Sequence, residues 1–345
     1  MYEVKLFNTS TISQLKADWE LLQSGKDMTY FQSFDWYLML SQINQKKYKK
    51  HAIIFAEITN NGEPSLIAPL WIVFKTFGFV NKKGVYFFGR QGWNDYCNII
   101  YKQFDEEAVK FLFNYIEKNF KTNEFRFDFL RENSSFYNFL KSNYELTLDR
   151  KETCVKLELS ESEEDYLKKL SKNSKQNIRT ARNRAVTDGV TYKINFDDKE
   201  VDLQSFAKFR QMRVEKKQSF QLSIKWLKNR IYQHLVYKFP EYTPFKEDKN
   251  SHFLTMTNDK NNELCAAFCY GLDSAHKEVV VMAVSLNESY SRYSPGMLAL
   301  YSYIVDCTAT KNVSVIDFTR GTERYKYVLG GKEHYIHSVK LKTTH

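Results

Sequence analysis

The order of strands and helices repeats once along this chain, and this repetition constrains the fold more than any other feature. In the first part, apolar strand patterns precede a strongly amphipathic helix at 106–120 and a strand at 125–130. In the second part, strands including 278–286 precede a helix at 295–308 and a strand at 313–318. This order predicts an α/β fold of the α+β kind, with mixed sheets flanked by helices, rather than a doubly wound parallel sheet.

A short sequence echo marks equivalent positions in the two parts. Phe127–Arg131 reads FDFLR, and Ile316–Arg320 reads IDFTR. In both parts the Asp follows the start of the strong helix by a little over twenty residues. The echo and the repeated element order predict a duplication, with an N-terminal domain at 1–155 and a C-terminal domain at 156–345.

Composition excludes several classes of protein. The 345 residues are 43% hydrophobic and 27% charged, which is typical of a globular chain rather than a disordered or membrane one. Neither the dinucleotide-binding nor the P-loop glycine motif occurs. The five cysteines are scattered and odd in number, which argues against a disulfide framework. The first residues lack the apolar core of a signal peptide, so we expect a cytoplasmic location.

The net charge of +10 favours anionic partners: phosphorylated substrates, nucleotides, nucleic acid or an anionic membrane surface. The basic charge is densest at 168–184. On one continuous helix, this segment would carry a single cationic stripe, formed by Lys168, Lys172, Lys175, Arg179 and Arg182. Such a stripe is consistent with a solvated face, a phosphate-binding face or a nucleic-acid-binding face. Base-stacking aromatic residues are absent from the segment, which weakens the third alternative.

Four segments, in order along the chain, resemble known transferase motifs. They are FQSFDW at Phe31–Trp36, SKQNIRTA with the later GV at Ser174–Val190, YSPGML at Tyr293–Leu298 and IDFTRGTERYK at Ile316–Lys326. Together they resemble the CelD/BcsL-like acetyltransferases and the related Fem-type (FemABX) transferases of the GNAT superfamily. The resemblance implies tandem GNAT-like domains, a Fem-type double-GNAT architecture, with the active cleft between the halves.

The resemblance also implies catalytic roles. Lys326 corresponds to a lysine near the reacting carbonyl or the acceptor phosphates, where a cation could stabilise an oxyanion. Asp317 could accept a proton from the attacking amine or orient Arg320, and Glu323 is an alternative base. The alternative for Lys326 is a surface lysine without a catalytic role. The alternative for Asp317 is an Asp–Arg pair that fixes the loop.

Gly296 stands where GNAT proteins place the glycine of a pyrophosphate-binding loop, at a helix start that suits phosphate. The usual Q/R-x-x-G-x-G/A pattern is altered, because Arg292 precedes Gly296 by four residues and Leu298 replaces the second small residue. We predict acetyl-CoA or another acyl-CoA as donor, with aminoacyl-tRNA, the donor of Fem-type relatives, as an open alternative. The predicted donor-binding residues are Arg292, Ser294, Gly296 and Met297.

Lys175 occupies the place of an arginine that contacts acceptor phosphate in Fem-type proteins, and it keeps the charge without the bidentate fork. The predicted reaction is acyl transfer to an amine, or to a hydroxyl, of a phosphorylated or nucleotide-linked sugar. By resemblance, the pathway would be surface polysaccharide or cell-wall precursor synthesis. The predicted substrate-binding residues are Lys175, Arg179, Arg320, Tyr325 and Trp36.

Three alternatives stay open: an aminoacyl-tRNA-dependent transferase, a nucleic-acid-binding protein using the helix at 168–184, and a non-catalytic GNAT-like scaffold. The expected partner is an anionic acceptor such as a nucleotide sugar or a lipid-linked sugar. Peripheral membrane contact is left open and no DNA is expected. The transferase hypothesis assumes one cationic groove that holds both Lys175 and Lys326.

No metal is expected. Cys265 and Cys269 would lie about 13 Å apart on a strand, at roughly 3.3 Å per residue, which is too far for one zinc ion. They are predicted to be core thiols. His334 and His337 have no acidic or cysteine partner at metal-site spacing, and they are predicted to lie on the surface.

Overall fold

A computed structural model describes residues 1–44, 52–77, 80–89, 94–219, 245–246 and 248–343. The chain divides into two compact units, Met1–Cys154 with Glu333–His345, and Val155–Lys332. The C-terminal strand therefore belongs to the first unit. Two features of the sequence lie outside the described residues: Trp93, a candidate cleft residue, and residues 223–238, whose pattern predicts a helix.

The first unit contains a mixed sheet in the order β1-β2-β3-β4-β5-β12. Its neighbouring strands are antiparallel, except that β4 and β5 run parallel. The strands are β1 (Tyr2–Phe7), β2 (Ala52–Asn60), β3 (Glu63–Phe77), β4 (Val80–Phe87), β5 (Glu124–Arg131) and β12 (Lys332–Lys342).

The sheet of the second unit follows the same scheme in the order β7-β8-β9-β10-β11. Again the strands are antiparallel until the last pair, β10 and β11, which is parallel. The strand β6 (Leu146–Glu158) contains the boundary between the units. The other strands are β7 (Tyr192–Asn195), β8 (Ser251–Asn258), β9 (Leu264–Asp273), β10 (Glu278–Leu286) and β11 (Val315–Arg320).

One long helix joins the parallel strands in each unit: α3 between β4 and β5, and α8 between β10 and β11. The predicted mixed α/β fold with a repeated element order is therefore confirmed. The α-helices of the described residues are α1 (Lys16–Leu22), α2 (Phe34–Asn44), α3 (Glu106–Phe120), α4 (Ser135–Asn143), α5 (Glu163–Lys169), α6 (Lys172–Thr187), α7 (Leu203–Ser219), α8 (Pro295–Thr310) and α9 (Arg324–Val328).

The helix α3 forms where its sequence predicted it. The Asp105 side chain caps the helix by accepting a hydrogen bond from the Ala108 N–H. The residues Val109, Leu112 and Ile116 recur at helical spacing and are buried. The helix ends at Lys121, which has a left-handed φ of 49°.

The basic segment at 168–184 is divided between two helices, so the single stripe that one continuous helix would carry does not form. Leu170 is buried and has an extended conformation, and Ser171 then caps a new helix by accepting a hydrogen bond from the Ser174 N–H. Lys168 therefore belongs to α5, where it pairs with Glu164 at 2.9 Å. Burial of the Leu170 side chain and the Ser171 cap together stop the helix that charge spacing alone suggested.

The apolar segment Tyr96–Tyr101, whose sequence predicts a strand, does not form one. This segment is irregular apart from one isolated bridge between Ile100 and Ile67. Its side chains are nevertheless buried, including Tyr96 and Ile99. The apolar composition of the segment agrees with its burial. However, the segment does not pair with a neighbouring strand along its length.

The predicted surface position of His337 is wrong. Its side chain is buried, and its Nδ1 lies 2.6 Å from Asp149 Oδ1 and 2.9 Å from the Tyr137 hydroxyl. These partners are 188 and 200 residues away in sequence, so spacing along the chain could not reveal them. His334 is half-buried, and its Nε2 lies 3.3 Å from the Tyr96 hydroxyl.

The carboxyl group of Glu57 gives the first unit a pH-dependent stability. Burial, together with the hydrogen bond and negative charge of Asp18, raises the pKa of Glu57 from 4.5 to about 7. Because the folded-state pKa is raised, the stability that the protonated group contributes is complete below about pH 4.5 and is lost as the pH rises toward 7.

We therefore expect Glu57→Gln to raise the free energy of unfolding at pH 8 by roughly 1–3 kcal/mol, at about 1.4 kcal/mol per pKa unit. At pH 4 the substitution should change it little. Urea denaturation at the two pH values measures this difference. Glu3→Gln, at an exposed position of β1, is the control. An equal effect of Glu57→Gln at both pH values would contradict the prediction.

Candidate active site

The sheet of the second unit opens between its two parallel strands. Residues Glu278–Val280 of β10 pair with Val315–Asp317 of β11, and this is the whole of the pairing between the two described strands. Beyond this point, the Thr319 hydroxyl still donates to the Val281 carbonyl at 3.0 Å. β10 then continues to Leu286 without a partner in β11. Such an opening at the carboxyl ends of parallel strands is a usual place for a ligand site.

A cavity of about 400 Å³ lies beside this opening. We call it the α8 cavity, because the first turn of α8 forms one of its walls. The other walls come from α6, β9, β10 and α9. Its lining includes Asn177, Thr180 and Arg184 from α6, Phe268 from β9, Val284 and Leu286 from β10, Ser294, Gly296 and Met297 at the start of α8, and Arg324, Tyr325 and Val328 from α9.

The start of α8 presents a backbone donor to the cavity. Ser294 precedes the helix in a left-handed conformation with φ of 51°, and its side chain makes no capping hydrogen bond. Pro295 has no N–H, and the Met297 and Leu298 N–H groups both donate to the Ser294 carbonyl. Within the described residues, the Gly296 N–H makes no hydrogen bond. A free amide at a helix N-terminus suits an anionic oxygen.

A side chain larger than that of Gly296 would crowd the cavity wall. A Cβ at this position would lie 2.6 Å from Leu286 Cδ2 and 3.4 Å from Phe268 Cζ. Leu286 and Phe268 both line the cavity. Glycine therefore allows α8 to start directly against the cavity wall.

Two exposed arginines, Arg184 and Arg324, line the same cavity. Arg184 donates to the Arg292 carbonyl at 3.3 Å, which ties α6 to the turn before α8. The Arg292 side chain, predicted to bind the donor, instead lies 3.6 Å from Asp188 and does not line the cavity. Glu288 also lines the cavity, so the site combines apolar walls with two arginines, one carboxylate residue and one free amide.

The two flanks of α6 have different surroundings. The cavity residues Asn177, Thr180 and Arg184 follow one stripe, whereas the exposed Lys175 and Arg179 belong to the other flank. At about 100° per residue, the two stripes lie roughly 150° apart around the helix. Within the described residues, Lys175 and Arg179 form no ion pair. Their charge is therefore available to an anionic partner outside the cavity.

Lys326 does not line the cavity either. Its side chain is 2% exposed, and Nζ donates to the carbonyl oxygens of Thr319, Arg320 and Gly321 at 3.2, 2.8 and 3.1 Å. The expected groove joining Lys175 to Lys326 is absent from the described part of the second unit. Helix phase turns Lys175 away from the cavity, and the loop after β11 encloses Lys326.

The other predicted residues divide between the cavity and the core. Ser294, Gly296, Met297 and Tyr325 line the cavity. Asp317 is 2% exposed, and its Oδ1 accepts a hydrogen bond from the Thr319 N–H at 2.7 Å. Arg320 is half-buried in the loop that follows β11, and Glu323 Oε2 lies 3.1 Å from Lys326 Nζ.

Trp36 belongs to the core of the first unit. It is 1% exposed, and its indole N–H donates to Asn94 Oδ1 at 2.8 Å. Its ring packs against Tyr30 and Phe31. The observed contacts of Trp36 are thus those of a core side chain with a satisfied donor.

The phenol of Tyr325, which lines the cavity, has a shifted pKa. Burial, followed by the negative charge of Glu323, raises the pKa of the Tyr325 phenol well above its ordinary value, and Arg213 opposes this rise. The phenol therefore keeps its proton at neutral pH. It can donate a hydrogen bond to a ligand in the cavity.

The equivalent helix start in the first unit has the opposite character. Asp105 caps α3, and Glu106 and Glu107 occupy its first turn. A cavity of about 600 Å³ at this place is also lined by Glu63. These carboxylates repel phosphate, so the cationic cavity of the second unit is the better place for an anionic ligand.

Other candidate sites were tested against the structure. Cys265 and Cys269 are free and buried in β9, as predicted for core thiols. In the described part of the chain, His, Cys, Asp and Glu side chains do not gather in groups of three or more suited to a metal ion. Every helix in the described ranges is too short or too polar to cross a membrane.

Sequence reasoning missed the arginines and the apolar walls of the cavity. Arg184 lay within the basic segment and Arg324 within the IDFTRGTERYK motif, but neither was singled out. The spacing of Asn177, Thr180 and Arg184 was a usable signal, because residues three and four apart share a helix face. Phe268 and Val284 gave no signal that distinguishes a cavity wall from ordinary core.

Comparison with known proteins agrees with this site. The sequence profile of the acetyltransferase (GNAT) domain family matches residues 172–327, which contain nearly all of the cavity lining. A search of curated protein sequences gave no significant match.

Solved structures share the fold over nearly the whole chain. FemX is 10% identical with a TM-score of 0.62, covering 97% of this chain and 96% of its own. A structure described as the C-terminal domain of a lysylphosphatidylglycerol synthetase from Agrobacterium fabrum is 11% identical with a TM-score of 0.52, covering 96% and 93%. L-PGS from Bacillus licheniformis is 9% identical with a TM-score of 0.50, covering 96% and 92%.

At these identities the likeness shows the fold alone, and the family match assigns residues 172–327 to the acetyltransferase (GNAT) domain family. GNAT domains in general use an acyl-CoA donor. Residues 172–327 therefore form an acetyltransferase (GNAT) domain within a double-GNAT fold, and the chain is an acyltransferase.

Proposed function

We propose that the α8 cavity binds an acyl-CoA and that its acyl group is transferred to an amine of a phosphorylated or nucleotide-linked sugar. The observation that carries this proposal is the composition of the cavity. It has a free Gly296 N–H, two arginines (Arg184 and Arg324) against one carboxylate (Glu288), and apolar walls that include Val284 and Leu286. This combination suits a donor with phosphates at one end and an apolar arm at the other.

In this proposal the phosphates of the donor lie near Gly296 and the two arginines, and its pantetheine arm follows Val284 and Leu286. The acceptor amine attacks the thioester carbonyl, so that a C–N bond forms and the C–S bond breaks. The amine loses one proton, and the departing thiolate gains one. Solvent water takes the first proton and supplies the second, and Tyr325, which lines the cavity, can donate a hydrogen bond to the departing sulfur. Holding both reactants in place would supply much of the rate.

A thermal-shift screen with acetyl-CoA, longer acyl-CoAs and nucleotide sugars tests the proposal. We expect acyl-CoAs to raise the melting temperature, as ligands that bind only the folded state do. An acceptor that binds should then cause release of free thiol, measured with a thiol reagent. If no acyl-CoA shifts the melting temperature and no thiol is released with any acceptor, the proposal is wrong.

The acceptor is proposed to place its phosphates against the outer flank of α6, where Lys175 and Arg179 are exposed. We expect the double variant Lys175→Ala/Arg179→Ala to raise the KM for the acceptor about 10-fold. Two hydrogen bonds to charged groups are lost, each contributing about 1.5–3 kcal/mol when buried and less at an exposed site.

The same variant should leave the dissociation constant of acetyl-CoA within about threefold of wild type, because the donor binds on the opposite flank of α6. The KM of the acceptor and the donor affinity are measured separately, by steady-state kinetics and by calorimetry. An unchanged acceptor KM would show that the acceptor binds elsewhere.

An aminoacyl-tRNA donor is the second candidate, and the specific observation in its favour is the fold shared with FemX. The two donors are distinguished by treating the reaction with ribonuclease. Only an aminoacyl-tRNA-dependent reaction would stop. The third candidate, a nucleic acid bound by α6, predicts tight binding that weakens steeply with salt.

The proposal extends to the subfamily, the pathway and the location of the protein. Membership among the CelD/BcsL-like proteins and a role in surface polysaccharide or cell-wall precursor synthesis are proposed from the motif resemblance. A cytoplasmic location is proposed with them. The name of the lysylphosphatidylglycerol synthetase neighbour contains a phosphate-bearing lipid, which is compatible with a phosphorylated acceptor. Lipid-linked as well as nucleotide-linked sugars therefore belong in the screen.

A further inference from the structure

The ammonium group of Lys326 is fully occupied inside the protein. Its three N–H groups match the three carbonyl oxygens of Thr319, Arg320 and Gly321, which lie within 3.2 Å of Nζ. The Glu323 carboxylate lies 3.1 Å from the same nitrogen and balances its charge. We call these three carbonyls and this carboxylate the Lys326 cage. The observed geometry leaves no ammonium hydrogen free for a substrate.

The backbone of the cage is shaped around this cation. Thr319 and Gly321 have left-handed φ values of 57° and 102°, and these turn successive carbonyls toward one point. A Cβ on Gly321 would lie 2.6 Å from Glu323 Oε2, so glycine is required there. Without the ammonium group, three carbonyl oxygens would face one another with no donor between them.

The cage controls the start of α9. The Lys326 N–H donates to the Glu323 carbonyl at 3.0 Å, and the Gly331 N–H donates to the Lys326 carbonyl at 2.9 Å. The two residues before Lys326 are Arg324 and Tyr325, and both line the α8 cavity. The side chain of Lys326 therefore joins the end of β11 to the short helix that carries one wall of the cavity.

From this geometry we propose that Lys326 is a positioning residue, which fixes Arg324 and Tyr325 at the α8 cavity through the cage. It does not itself contact the reacting carbonyl. This inference rests on the proposed function, because that function gives Arg324 and Tyr325 a ligand to meet.

The test compares Lys326→Met with wild type, using acetyl-CoA as the probe. Lys332→Met, at an exposed position nearby in sequence, is the matched control. We expect Lys326→Met to raise the dissociation constant of acetyl-CoA about 10-fold by calorimetry, and Lys332→Met to leave it within twofold. A Lys326→Met variant with unchanged acetyl-CoA affinity and kcat lowered at least 100-fold would show direct catalysis and overturn the inference.

A double-mutant cycle separates positioning from a direct role in the chemical step. If Lys326 acts through Tyr325, adding Lys326→Met to Tyr325→Phe should lower kcat less than threefold further. Full additivity of the two effects on kcat would overturn the inference.

Hydrogen exchange keeps the inference testable if Lys326→Met does not fold. Glu323→Gln retains the ammonium group and removes its counter-charge, and we expect faster amide exchange in 319–331 than in wild type. Unchanged exchange there would overturn the inference. A wild-type protein that binds no acetyl-CoA would defeat the proposed function instead, and the exchange measurement would still decide whether the cage holds this segment.

Discussion

Replacing Arg184 and Arg324 together by glutamate is expected to weaken acetyl-CoA binding by about 100-fold at low salt. Both side chains line the α8 cavity and both are exposed at its edge. A hydrogen bond between a charged donor and a phosphate contributes about 1.5–3 kcal/mol, and two such bonds would account for at least this loss. Isothermal titration calorimetry with acetyl-CoA measures the effect, and the loss should shrink as salt is added.

The other flank of α6 supplies a control with the same change in charge. The double variant Lys175→Glu/Arg179→Glu also replaces two cations by two anions. Both residues lie on α6, the helix that carries Arg184. If proximity to the cavity decides donor binding, this control should weaken acetyl-CoA binding less than threefold. Equal losses from both double variants would mean that only net charge matters, and the proposed position of the donor phosphates would be wrong.

The contrast between these variants follows from the phase of one helix. The buried residues Ser174, Ile178, Ala181 and Ala185 set which side of α6 faces the core. This choice places Arg184 beside the cavity and Lys175 on the opposite flank. A basic segment that reads as one charged block is thereby divided between two surfaces, and each surface can serve a different anionic ligand.

Much of the fold could be predicted from the sequence, because its signals are local. The helix α3 has an N-cap, a regular apolar stripe and a left-handed C-terminal residue, and its predicted limits of 106 and 120 are those observed. The helix α8 starts at Pro295 as predicted and ends two residues later than predicted. The parallel pairing around each helix follows from the repeated order of elements.

The site was predicted less well, because its chemistry depends on contacts that are distant in sequence or on loop geometry. Lys326 was a candidate oxyanion cation by resemblance, but its cage depends on backbone angles at Thr319 and Gly321. The partner of Gly296 is Leu286 on β10, and no spacing rule identifies it. The motif located the region of the cavity correctly, whereas only the fold could show which side chains line it.

Substituting Gly296 by alanine is expected to reduce acetyl-CoA affinity about 10-fold or more. The added Cβ would lie 2.6 Å from Leu286 Cδ2, closer than atoms tolerate, and the Leu286 side chain must move. Leu286 lines the cavity, so its displacement takes space from the ligand. Overpacking of this kind also costs about 1–3 kcal/mol of stability, which urea denaturation would measure.

A second substitution at the contact decides whether crowding is the cause. In the Gly296→Ala background, Leu286→Ala removes the atom that the new methyl group meets, and acetyl-CoA affinity should return to within about threefold of the Leu286→Ala single variant. The coupling between the two substitutions should reach about 1 kcal/mol, because residues in contact are not additive. If the two effects simply add, or if Gly296→Ala binds acetyl-CoA as wild type does, then the close approach of α8 to β10 does not shape the donor site.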